Sequence, residues 1–196
     1  MKKSLIALAV LAACGAVSSR AYVGDAAIKY RMDVGYPGDV NRTHPFSVVP
    51  AQMDGTTPVR RYGDPVLYGT NTVRGFVAAD QAGTTKIKGV LVRPYPTSQT
   101  SGGMSSSFGV ATPPGANSVV DFIEDGFVIV KIDNIAAGNP TKGGAVFVWS
   151  VASAGNDVLG GFRAAASAGN TCAITNAEFT GPADANGYAE IRVWKQ

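Results

Sequence analysis

Few side chains in this sequence are equipped to move protons. The sole histidine, His44, lies between Thr43 and Pro45. General acid–base work near neutral pH most often uses His, and one imidazole beside a proline reads as a turn residue. Asp64 and Asp80 have the residue type of a glycosidase pair, but nothing in their spacing makes them face one substrate. Asp121, Glu124 and Asp125 cluster as calcium ligands do; at a turn they read as solvated carboxylates. No Ser elbow, HExxH, CxxC or Walker loop occurs. Gly102-Gly103 and Gly143-Gly144 do not stand between a strand and a helix, so neither is expected to cradle a phosphate. Asn41-Arg42-Thr43 matches a glycosylation sequon. Cys14 and Cys172 give no disulfide framework, and Cys172, flanked by Thr171, Ala173 and Ile174, reads as a buried small hydrophobe. Catalytic, cofactor and metal sites are therefore expected to be none.

Binding chemistry is better represented. Residues 25–65 combine many chain breakers with aromatic and arginine side chains, among them Tyr30, Arg31, Tyr36, Arg60, Arg61 and Tyr62. Interfaces favour these residue types. The segment reads either as an extended arm that reaches a partner or as a strap lying on its own domain. Residues 94–115 are rich in Ser and Gly, with Met104 and Phe108 as isolated apolar residues. Those two could anchor the loop to a partner, or the loop could be a mobile tip. In the last strand, Ala189, Ile191 and Val193 alternate with Tyr188, Glu190, Arg192 and Trp194. The first set is a core face. The second reads as an interface carrying Tyr188, Arg192 and Trp194, or as a face covered by a loop.

The elements that must position these groups are strands. Of 196 residues, 24 are Gly and 11 Pro, and 23 Val stand against only 6 Leu. Such a composition suits short strands and many turns better than helices. Strand-like runs cover 66–68, 73–79, 87–93, 118–123, 127–133, 145–151, 158–163, 171–179 and 188–194. Glu124-Asp125-Gly126 separates two of them and reads as a hairpin turn. Residues 145–151 are apolar on both faces and read as a central, covered strand. The fold class is all-β, a β-sandwich or barrel over 66–196, preceded by the 25–65 arm. Charge adds little. The net charge of +3 arises from Lys2, Lys3 and Arg20, and from residue 21 onward 14 basic side chains balance 14 acidic ones. No basic cluster of the kind nucleic acid needs is present.

Residues 1–24 form a separate, signal-like segment. Lys2 and Lys3 precede the apolar run Leu5–Ala13, which is shorter than the about 20 residues a bilayer span needs. Ser19-Arg20-Ala21 is a small-x-small cleavage site. Leu11-Ala12-Ala13-Cys14-Gly15 resembles the bacterial lipoprotein signal, with lipid attached to Cys14. The alternatives are a short apolar helix docked on a partner and an upstream start codon. An exported or lipid-anchored β-sandwich binding module, periplasmic or held at the outer membrane, is thus one reading of the whole chain.

A second reading comes from motifs in order along the chain. Residues 27–42 (AIKYRMDVGYPGDVNR), 73–77 (VRGFV), 89–96 (GVLVRPYP), 125–130 (DGFVIV) and 144–149 (GAVFVW) resemble the structural cement proteins of short-tailed phages, which decorate capsids. The resemblance covers roughly residues 27–196. It implies a jelly-roll-like β domain on the capsid's outer face. It also implies attachment to the major capsid protein, locking of neighbouring capsomers, and a homo-oligomer, a dimer being expected. No catalytic residue is carried over.

Overall fold

Ten strands and two short 3-10 turns make up the regular structure of the computed structural model, which describes residues 35–40, 45–80, 84–93 and 115–195. The signal-like segment, Tyr30, Arg31, His44, the sequon, Met104 and Phe108 lie outside the described residues. The strands are β1 (Ser47–Gln52), β2 (Pro65–Tyr68), β3 (Val73–Arg74), β4 (Thr84–Thr85), β5 (Gly89–Leu91), β6 (Val119–Lys131), β7 (Ala145–Trp149), β8 (Phe162–Arg163), β9 (Thr171–Phe179) and β10 (Tyr188–Val193). The fold is all-β. The strands run in the order β3-β2-β5-β6-β10-β9-β7-β8, with β1 also on β6 and β4 also on β9. Among the described residues no helix is long and apolar enough to cross a membrane.

The expected hairpin at Glu124-Asp125-Gly126 is not formed; the two runs around it make one strand, β6, of 13 residues. Each run finds its own neighbours. The first half pairs with β1 and β5, the second with β10. The turn-forming residues serve instead to bend the strand. In the β1 pairing Ser47 faces Asp125 while Val48 faces Ile123, so Glu124 is the extra residue of a β-bulge. Two residues on, Gly126 has φ +134°, and a Cβ there would lie 2.8 Å from the Phe46 side chain.

On one side of this bend lies a sheet of β1, the first half of β6, β5, β2 and β3. It curls back on itself: Met53 forms a parallel bridge with Val73, and the Asp54 N–H donates to the Val73 carbonyl at 2.8 Å. Met53, Val59, Tyr62, Val66, Val73, Leu91, Val120 and Phe122 pack as one core cluster. Residues 45–65 therefore supply a strand and part of a core. Beyond the bend, the second half of β6 continues through β10, β9, β7 and β8. That sheet too returns to β6, by a parallel bridge between Ile132 and Phe162. The larger core cluster includes Ile123, Val128, Val130, Val146, Val148, Phe162, Phe179, Ala189, Ile191 and Val193.

Three strands feed both clusters. Val66 and Leu67 of β2, Leu91 and Val90 of β5, and Phe122 and Ile123 of β6 point alternately into the smaller and the larger core. That is why β2 and β5 are short apolar runs without a polar face.

Several runs end earlier than their composition suggests, and polar side chains are the reason. Residues 73–79 leave the sheet after Arg74. The Asp80 carboxylate takes the Val77 N–H at 2.8 Å and the Arg74 guanidinium at 2.7 Å, which draws Ala78–Asp80 into a 3-10 turn. Ile87 stays outside β5 because both its backbone groups bond the buried Asn176 side chain, at 3.0 and 2.8 Å. Residues 158–163 give only the two-residue β8. β7 has neighbours on both sides, β9 and β8, but Ala145 is exposed and Phe147 half-buried, so one face is only partly covered. Cys172 is a fully buried thiol outside any disulfide.

Candidate interaction surface and the ionic clusters beneath it

The structure separates the sequence-derived contact residues by depth. Tyr36 is exposed and Tyr62 is buried. Both flank the guanidinium of Arg93, at 5.3 and 5.9 Å from their ring centroids. Asp39 approaches the same guanidinium at 3.7 Å. Arg93 was not singled out by sequence, since it is 57 residues from Tyr36 and 31 from Tyr62. Arg60 is exposed. Arg61 is turned inward to two carboxylates.

On β10, Ala189, Ile191 and Val193 are fully buried, as their alternation implies. The opposite row is not uniform. Arg192 is exposed and lies 6.0 Å from the ring of Phe127, its partner on β6. Tyr188, half-buried, pairs with the exposed Lys131. Trp194 is half-buried. Glu190, expected on the same face, is 7% exposed and accepts the Thr180 hydroxyl at 2.6 Å. Its cross-strand partner Ile129 is buried, with Gly35 lying against its side chain. The outward face is thus Phe127, Lys131, Tyr188 and Arg192 around a covered middle. Other large apolar residues stand out in a way alternation alone did not flag: Val119 is 70% exposed, Tyr68 66% and Phe46 54%.

Two ionic clusters are built around buried carboxylates. In the first, the bulge aims Glu124 inward, against the expectation of a solvated turn. Its carboxylate accepts from Lys195 Nζ at 2.7 Å, Lys88 Nζ at 3.0 Å and Ser47 Oγ at 3.1 Å. The bond from Lys195, helped by those from Lys88 and Ser47, outweighs burial and brings the Glu124 carboxyl down to about 2. Lys88 also stands 4.7 Å from the ring of exposed Tyr68. Asp121 is exposed and Asp125 half-buried, so they share neither the depth nor the direction of Glu124. Among the described residues no group of His, Cys, Asp or Glu is placed to hold a metal ion.

In the second cluster, Arg61 donates to Asp133 from both terminal nitrogens, at 2.6 and 2.9 Å, and from Nε to Asp64 at 3.2 Å. Asp64 and Asp133 side chains are 8% and 5% exposed. Burial pushes the Asp64 carboxyl up to about 6 against the pull of Arg61. Asp80, the imagined partner of Asp64 in a hydrolytic pair, is engaged by Arg74 instead. The ionic partners in both clusters come from distant parts of the chain, and no sequence spacing marks them.

The arrangement offers aromatic, aliphatic and cationic contact chemistry on a scaffold pinned by internal ion pairs. A family model described as XM1 gp53 minor capsid protein matches residues 26–193, a span that includes all ten strands. The chain belongs to that family. Among solved structures, a chain from "The capsid of Myoviridae Phage XM1" superposes with a TM-score of 0.60 at 21% identity, covering 88% of this chain and 97% of that one. The likeness shows a shared fold. No curated protein matches the chain. A minor capsid family member is a phage structural protein of the virion capsid, in keeping with the resemblance to capsid-decorating proteins.

Proposed function

We propose that this minor capsid protein binds the outer surface of the phage capsid and cements neighbouring major capsid protein subunits, acting as a homodimer. The family match across residues 26–193 is the observation that carries this reading. The exposed aromatic and cationic groups supply a means. Tyr36, Arg60, Tyr188, Arg192 and Trp194, with Tyr30, Arg31, Met104 and Phe108 from outside the described residues, are the proposed contacts. Arg61 and Tyr62 act from beneath, by fixing the segment that carries Arg60. Each contact can be weak, because many copies on one shell act together.

The test is addition of purified protein to gradient-purified particles made without it. Bound copies should reach a fixed number per shell and raise the temperature at which the particles release DNA. Surface labelling of intact particles should modify the bound protein. Failure to bind, or binding with an unchanged release temperature, would remove the cementing role. Sedimentation of the free protein tests the dimer.

A further inference from the structure

Arg61 joins two carboxylates that belong to different sheets. Asp64 immediately precedes β2, and its carbonyl accepts the Leu91 N–H of β5 at 3.0 Å, both in the smaller sheet. Asp133 follows β6 and lies beside the bridge to β8 in the larger sheet. Gly161 leaves room for it, since a Cβ there would collide with the Asp133 carboxylate. Among the described residues the other charged group acting on Asp64 is Arg60, which is exposed. Asp64 lines a small cavity with Gly75 and Phe76 from beyond β3 and Leu159 and Gly160 from before β8, none of which titrates.

We propose that this junction is an acid-tightened lock. One guanidinium stands between two buried carboxylates, so one proton taken up by Asp64 removes the surplus buried charge, and that relief outweighs the weakened bond to Arg61 and favours the closed junction over its opening. The sign follows from linkage. Asp64 rises from 3.8 to about 6 on folding, so the folded protein holds the extra proton between those values. Its share of stability is fully present below about 3.8 and is lost as pH rises through about 6.

The experiment is urea unfolding of the full chain at pH 4.5 to 7, for the wild type and Asp64→Asn. Asp64 alone should raise the wild-type unfolding constant by roughly twentyfold across that range, and Asp64→Asn should abolish the rise. Equal pH dependence in the two proteins would overturn the lock. Should the variant not fold, carboxyl-carbon NMR of wild-type Asp64 decides: a midpoint near 6 supports the lock and one below 4 refutes it. Hydrogen exchange supplies the structural readout. Corrected for intrinsic rates, the Leu91 and Asp133 amides should exchange more slowly at pH 5 than at pH 7, and unchanged protection would count against tightening. The purified chain suffices, so the result is independent of capsid attachment.

Discussion

The two buried clusters have opposite surpluses. At Glu124 one carboxylate meets two ammonium groups; at Arg61 one guanidinium meets two carboxylates. Both side chains are shielded from solvent, 4% exposed for Glu124 and 8% for Asp64. Yet the first carboxyl is brought down to about 2 and the second pushed up to about 6. Desolvation works against the charged form in both. What differs is depth, shallow for Glu124 beside the exposed Lys195 and deep for Asp64, together with the number of cations per carboxylate. At Glu124 the bonds from Lys195, Lys88 and Ser47 outweigh a modest desolvation; at Asp64 a large desolvation outweighs the pull of Arg61. The clusters therefore give the stability curve two limbs. Glu124 contributes stability above about 4.5 that is lost as pH falls toward 2, and Asp64 contributes stability below about 4 that is lost as pH rises through 6.

Breaking the cation-poor cluster should cost most. Arg61→Met leaves two buried carboxylates without a guanidinium and should destabilise the protein by about 3–5 kcal/mol at pH 7. Urea unfolding at pH 5 should show a smaller loss, because protonation relieves the uncompensated charge. Glu124→Gln should cost about 2 kcal/mol at pH 7, less because Lys195 can return to water. In that variant, the fall in stability below pH 4.5 should flatten, which acid titration followed by circular dichroism would read. Gly161→Ala drives Asp133 away from Arg61 and should cost about 1–2 kcal/mol by thermal unfolding. Lys195→Ala sharpens the comparison from the other end. Lys195 is 63% exposed, so its removal should cost less than about 1 kcal/mol. A larger loss would mean the carboxylate depends on both lysines.

The sequence carried the strands but not their sharing. β9 and β10 are legible because Thr171–Phe179 and Tyr188–Val193 are long enough to show their pattern and are bounded by Gly-rich turns. β6 misled because Asp125-Gly126 has the chemistry of a turn, and only the separate partners of its two halves keep the chain straight. β1 was hidden because Ser47–Gln52 contains Pro50 and has no fully buried residue. Its place is set by pairing with residues more than 60 positions away. Much the same applies beneath the surface. Arg61 and Asp64 lie in one stretch, but Asp133 reaches them only through the fold, and nothing local marks Glu124 for Lys88 and Lys195. The resemblance reached the capsid family from ordered strand motifs, whereas partner contacts leave no such local record.

The shared strand has a consequence for how the chain acquires its shape. β1 through β5 are synthesised before β6, yet both rolled sheets need β6 for their central pairings. A nascent chain halted before Val119 lacks the strand that would cover β1 and β5. Pairings such as Gln52 with Val119 span long stretches of sequence, and contacts of that kind slow folding. The two sheets should then form and melt as one cooperative unit, and a calorimetric scan of the free protein should show a single transition. Premature termination early in Val119–Lys131, before Asp125, would leave both halves unfinished together.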